Sequence, residues 1–198
     1  MYSLLKPLLV REELLKRNIR IFTPEEFTRL FQADRYVVKY FLEKQVEEGL
    51  LSRLKKGLYV LKTDLPCEEE IANKLYQPSY ISFEYALAFY NRLFEMPHLI
   101  TSATTKSTRL FTTTNGSYAY YTIKKEAFDG YSLMEKNNRR FLIADAEKSI
   151  VDYLYYVTLG KRVQNDRIIL VGLDKKKALQ YATFYQRDSL LKLVLKQL

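Results

Sequence analysis

Residues 21–61 read IFTPEEFTRLFQADRYVVKYFLEKQVEEGLLSRLKKGLYVL, and the order of local signals in this stretch decides the fold. Thr23 followed by Pro24 and, at the third helical position, Glu26 is a capping box with proline at N1. Phe22 before the cap and Phe27 after it supply the matching hydrophobic staple. This short helix ends near Phe31. Asp34 then caps a second, longer helix that runs to about Glu48 and stops at Gly49. Val38, Phe41, Leu42 and Val46 form its buried stripe, which leaves Arg35, Tyr36, Lys39, Tyr40 and Glu43 on the outer side. Two alternating apolar runs follow, Leu50 to Leu54 and Leu58 to Leu61, about a basic turn at Lys55-Lys56-Gly57.

Upstream, leucines at helical spacing over residues 3–18 predict a helix begun or kinked at Pro7. A helix, a short capped helix, a tight turn, a longer basic-aromatic helix and a basic hairpin together predict a winged helix-turn-helix. In such a domain the second helix of the motif enters the major groove and the wing lies along phosphates. Arg35 and Lys39 are then the candidates for base edges or nearby phosphates, and Tyr36 and Tyr40 for phosphates or thymine methyls. Arg53, Lys55 and Lys56 are candidates for phosphate contacts. The same layout also serves proteins that dock other proteins, so a protein-interaction module stays open.

Composition agrees with a polyanion partner without requiring one. The chain has 198 residues, a net charge of +9 and 47 % hydrophobic residues, enough for real cores. Residues 1–62 hold 13 Lys and Arg against 8 Asp and Glu, so positive charge is denser there than in the remainder. No apolar run reaches the ~18 residues of a membrane span, and no signal-peptide layout opens the chain. Cys67 and His98 are its single cysteine and histidine, which points to a reducing cytoplasm and against a metal site of ordinary ligand count. No cofactor is expected.

Lys62 to Pro66 reads as a break, which gives two domains, residues 1–63 and 64–198. The second is expected to be a mixed domain of antiparallel hairpins packed with helices, so the fold class is α+β. A helix opens with Glu68-Glu69-Glu70 and stops before Pro78; another starts at Ser82 and runs from Phe83 to about Leu93. Strands follow at Leu99–Thr104 and Arg109–Thr114, with a type I′ turn at Asn115-Gly116 leading into Ser117–Ile123. That register sets Phe111 opposite Tyr120 and Thr113 opposite Tyr118. These aromatic pairs suit ordinary sheet packing, with a stacking platform for single strands as the sharper reading. A second hairpin turns at Asn137-Asn138 and sets Glu135 opposite Arg140. Asp145 caps a helix closed by Gly160, Arg167 to Val171 form a strand or loop, and two last helices begin at Asp174 and Asp188.

Catalytic constellations are missing from the pattern. His98 follows Met96-Pro97 with no nucleophile in view. Gly116-Ser117 lacks the Asp-x-Asp pair of a nucleotidyltransferase, and no phosphate-binding glycine loop occurs. Glu147 and Asp152 lie five apart and diverge around their helix, which suits capping and pairing with Lys148 or solvent. The chain is expected not to be an enzyme.

Several motifs resemble the AbiEi family of antitoxins. They are Lys56-Gly57-Leu58-Tyr59-Val60, then Tyr80-Ile81-Ser82-Phe83-Glu84-Tyr85-Ala86-Leu87, Tyr121-Thr122-Ile123-Lys124 and Phe128-Asp129-Gly130-Tyr131. Ala144 to Tyr155 is similar to that family's alanine-x-x-Glu-Lys-x-x-x-Asp helix, with Glu147, Lys148 and Asp152 at the matching positions. The resemblance implies an antitoxin of a type IV toxin–antitoxin system, associated with abortive phage infection. It implies a winged domain that represses its own operon by binding inverted-repeat double-stranded DNA. It also implies a larger domain that counters a nucleotidyltransferase-like toxin without a stable complex, and a structural role for the matched helix residues. Met1 to Arg20 is long for the family's usual start. The reading that stays open beside it is a winged-helix interaction module or a transcriptional regulator not linked to a toxin.

Overall fold

The computed structural model describes residues 5–198 and is α+β. It divides into two compact units, Met1–Cys67 and Glu68–Leu198. The boundary falls a few residues beyond the break read from composition, for a reason visible in its contacts. Asp64 pairs with Arg20 at 2.8 Å, the Thr63 hydroxyl accepts from Arg11 Nε at 3.2 Å, and Lys62 N–H donates to the Leu50 carbonyl. Residues 62–64 are thereby tied to the first unit.

In the first unit the order is α1 (Pro7–Lys16), β1 (Ile21–Phe22), α2 (Pro24–Phe31), α3 (Arg35–Glu47), β2 (Leu51–Lys55) and β3 (Leu58–Leu61). The part of the leader helix expected at Ser3 and Leu4 lies outside the described residues. From Pro7 onward α1 buries Val10 and Leu14 but leaves Leu8 and Leu9 exposed. The capping box at α2 is complete: Thr23 Oγ1 accepts from Glu26 N–H at 3.1 Å, and Glu26 Oε2 accepts from Thr23 N–H at 2.8 Å. Phe22 and Phe27 meet at 5.4 Å between ring centroids, closing the staple. Asp34 caps α3 by accepting from Tyr36 N–H at 2.8 Å. Val38, Phe41 and Leu42 are buried as read, Val46 is half-buried, and Gln45 is buried as well. Gln45 is tolerated there because its amide donates to Glu48, which satisfies a polar group that burial would otherwise penalise. The strands form one antiparallel sheet in the order β1-β3-β2. Lys55 pairs with Leu58, so the turn itself is Lys56-Gly57, with Gly57 at a φ of +77°.

The second unit runs α4 (Glu68–Leu75), β4 (Ser79–Ile81), α5 (Phe83–Phe89), β5 (Leu99–Thr104), β6 (Arg109–Thr113), β7 (Gly116–Thr122), β8 (Tyr131–Lys136), β9 (Arg139–Ala144), α6 (Ala146–Thr158), α7 (Lys175–Thr183) and α8 (Asp188–Gln197). Its strands form a single sheet ordered β6-β7-β5-β4-β9-β8. This sheet is mixed and not purely antiparallel, because β5 runs parallel to β7 and β4 parallel to β9. The strand at Ser79–Ile81 escaped the sequence reading. Three residues are too few to show a period, yet they sit between β5 and β9 near the middle of the sheet. Tyr80, Ala103 and Tyr121 occupy matching register positions and one face, and Tyr80 and Ala103 belong to the buried core with α6, α7 and α8 residues. Tyr120, on the opposite face, donates its hydroxyl to the Ala72 carbonyl of α4.

Two further expectations are corrected. Helix α5 ends at Phe89, before the expected Leu93, because Asn91 adopts a left-handed φ of +57° while Arg92 N–H reaches back to the Leu87 carbonyl, a Schellman-type stop. The first hairpin pairs Thr113 with Gly116 and Phe111 with Tyr118. Its turn is therefore Thr114-Asn115 and its register is two residues away from the expected one. Thr113 Oγ1 accepts from Asn115 N–H at 3.1 Å, a side-chain turn that outcompetes the Asn-Gly placement. Of the two readings of Arg167 to Val171, strand or loop, the structure has the loop. The second hairpin keeps its expected register, Glu135 opposite Arg140 across left-handed Asn137 and Asn138. Among the described residues no helix is long and apolar enough to cross a membrane.

Replacing Thr23 by alanine removes the α2 cap and is expected to cost about 1 kcal/mol. Hydrogen exchange checks this: amides of residues 26–31 should exchange about fivefold faster, with α6 amides unchanged.

Candidate nucleic-acid interface

The amphipathic pattern of α3 fixes which side chains reach solvent. Tyr36 and Tyr40 are 85 % and 68 % exposed, unusually high for tyrosines, whose rings normally find cover. Arg35 and Lys39 are exposed on the same helix, one turn apart. Together with Thr28 of α2 and Tyr59 of β3, those two cations line a groove of about 270 Å3; Glu25, also on its rim, is its single carboxylate. Arg53 is the cross-strand partner of Tyr59 and is exposed, as is Lys56 at the turn. Lys55 is half-buried and engaged with its surroundings. Arg35, Lys39, Arg53 and Lys56 form no ion pair among the described residues. Four cations without carboxylate partners, beside two exposed phenols, make a surface able to meet phosphates and base edges.

A second constellation lies inside the other unit, on α6. Lys148 and Asp152 form an ion pair with both side chains 0 % exposed. Asp152 is the hub. Its Oδ1 accepts from Lys148 Nζ and from the Tyr185 hydroxyl, and its Oδ2 from Tyr80 at 3.1 Å and Ser82 at 2.7 Å. Lys148 Nζ also donates to Tyr185 Oη at 3.2 Å and sits 4.9 Å from that ring's centroid. Ser82 occupies the N-cap position of α5 but makes no capping bond; its hydroxyl donates to Asp152, and Thr101 Oγ1 accepts from Tyr85 N–H at 3.2 Å instead. Burial pushes the Lys148 ammonium pKa below the ordinary lysine range, although the Asp152 charge opposes this. Burial, reinforced by Asp152, holds the Tyr80 and Tyr185 phenols well above theirs.

Around this hub lies a half-exposed layer. Asp145 caps α6 through Lys148 N–H at 2.7 Å, accepts the Tyr181 hydroxyl at 2.7 Å and pairs with Lys177 at 3.0 Å. Glu147 also pairs with Lys177, at 3.2 Å. Burial works against the Lys177 charge, but the two carboxylates outweigh it and raise its pKa. Gly130 is required here: at φ +74° a Cβ would lie 2.8 Å from the Tyr181 ring and 2.9 Å from Lys148 Cγ. The i,i+4 spacing foretold the partnership of Lys148 and Asp152, whereas the Glu147 partner on α7 and the three hydroxyl donors did not show in the sequence. The arrangement is chemically closed, with every Asp152 oxygen used and no solvent access, so it can brace elements but not process a substrate. His98, exposed, plays no part in it.

No protein-family model matches this chain, and no curated protein matches it.

Lys148→Met should cost about 3–5 kcal/mol in urea unfolding, because Asp152 is left as an uncompensated buried charge. The raised phenols set an alkaline limit. Unfolded tyrosines ionise near pH 10 while Tyr80 and Tyr185 stay protonated in the fold, so the folded state binds more protons there. Stability is then fully present below about pH 10 and falls as pH rises beyond it. Tyr185→Phe should make that alkaline decline shallower by about 1.4 kcal/mol per pH unit, measured by urea unfolding at several pH values above 10.

Proposed function

We propose that residues 1–63 form a winged helix-turn-helix that binds double-stranded DNA, and that the chain is an AbiEi-like antitoxin that also represses its own operon. The observation that carries the DNA-binding half is the set of exposed cations that form no ion pair among the described residues, Arg35, Lys39, Arg53 and Lys56, beside exposed Tyr36 and Tyr40. The element order of the first unit, three helices with a β-hairpin after the third, supports assigning α3 as the reading helix and Lys56-Gly57 as the wing tip. Lys55 joins the phosphate-facing set from the strand end. The antitoxin half rests on the resemblance of the motifs in residues 56–155, and the closed Lys148–Asp152 hub supports a non-catalytic role for that helix. On this reading the chain works in the cytoplasm, binds inverted repeats and counters a nucleotidyltransferase-like toxin without a lasting complex.

Exposed aromatic rings also suit a protein partner, and Tyr36 and Tyr40 are the specific observation favouring that second reading. A gel-shift titration with the DNA upstream of the gene separates the two. DNA binding predicts retardation that weakens steeply with salt, as released counterions require. The double variant Arg35→Ala, Lys39→Ala should lose about 1–3 kcal/mol per base contact. Lys56→Ala should weaken all sequences alike and lower the salt slope by about one unit. Absence of retardation at low salt, or full affinity in the double variant, overturns this assignment of the reading face. A nucleotidyltransferase-like reading frame beside the gene is the expectation for the antitoxin half.

A further inference from the structure

Within residues 68–198, beyond the C-terminal end of α6, a chamber of about 520 Å3 opens over strands β5 and β7. Its size falls in the range of small-ligand sites, roughly 300–1,000 Å3. Tyr121, Tyr156, Pro97 and Leu99 supply an apolar and aromatic lining, and Lys161, Arg162 and Glu84 supply charge. The guanidinium of Arg162 is held unusually firmly. Its centre lies 4.4 Å from the Tyr121 ring centroid, 4.6 Å from Phe83 and 5.5 Å from Tyr156, and its Nη1 donates to Glu84. Its side chain is only 11 % exposed, yet Nε and Nη2 have no hydrogen-bond partner among the described residues. Lys161, exposed at the same chamber, has no carboxylate partner among the described residues either; its ammonium sits 5.8 Å from the Tyr156 ring. Two cations face one carboxylate, so the chamber keeps a positive charge next to ring-lined walls.

A fixed guanidinium with donors to spare is suited to two-point contact with a multiply charged oxyanion such as a phosphate. Aromatic and proline surfaces next to it suit a flat ring system. We propose that this chamber binds a mononucleotide, its base against the apolar lining and its phosphate between Lys161 and Arg162. Glu84 has the supporting part: it orients Arg162 and offsets one charge, so an inorganic dianion alone lacks the contacts to bind as well. The inference stands apart from the DNA-binding reading, since every group it uses lies in the second unit.

The test is calorimetric titration of the full chain with AMP, GMP, adenosine and inorganic phosphate at low ionic strength. At least one mononucleotide should bind, and adenosine and phosphate should each bind about tenfold or more weakly. Lys161→Glu should weaken the nucleotide about tenfold without shifting the melting temperature, whereas Lys192→Glu on α8 should leave affinity unchanged. Lys161→Gln gives a milder version of the same loss should the charge reversal disturb folding. Four results overturn the proposal: no nucleotide binding up to about 10 mM; phosphate binding as tightly as AMP; adenosine binding as tightly as AMP; or Lys161 and Lys192 variants that behave alike.

Discussion

The buried ion pair of Lys148 and Asp152 is the constraint around which the second unit is arranged. Two charges withdrawn from water cost several kcal/mol each unless geometry and hydrogen bonds repay them. Asp152 meets that demand with four donors drawn from β4, the start of α5, α6 and Tyr185 in the turn between α7 and α8. Each of those elements must be in place for the charges to be tolerated. A patch of leucine and valine would have packed in several ways, but a carboxylate needing four particular donors accepts one arrangement. Ser82 donates its hydroxyl to Asp152, while the first turn of α5 is capped from β5, where Thr101 Oγ1 accepts from Tyr85 N–H.

The first unit is organised differently. Its helix starts are set by devices acting over three or four residues: the α2 capping box, the Phe22–Phe27 staple and the Asp34 cap. They lead into a core in which Phe27 packs against Phe31 and Phe41 at 4.4 and 5.7 Å between centroids. Because local devices fix the helices, the outer face of α3 is free to carry side chains that do nothing for the fold. Exposed Tyr36 and Tyr40 are among them.

That difference explains how much could be read in advance. Helix starts at Thr23, Asp34, Asp145 and Asp174 were legible because a cap and its target are neighbours in the chain. The Asn137-Asn138 hairpin was legible for the same reason. Strand order was not, because β5 alongside β7 and β4 alongside β9 are decided by which faces bury together. Of the Asp152 partners only Lys148, four residues away, left a mark in the sequence. Tyr80, Ser82 and Tyr185 lie 72, 70 and 33 residues distant, and no spacing rule reaches that far. The exposure of Arg35 and Lys39 followed from helical period alone, whereas the Arg162 box needed Phe83, Tyr121 and Tyr156 to be assembled first.

The hairpin of β6 and β7 carries a lesson about what alternation can encode. Its true pairing differs by two residues from the one read off Asn115-Gly116, and a shift of two returns every side chain to the face it started on. Phe111 and Tyr118 therefore point the same way under either pairing, and burial cannot choose between them; the Thr113 hydroxyl at the bend does. A slip of one residue in the pairing would instead exchange the inward and outward sets along a whole strand.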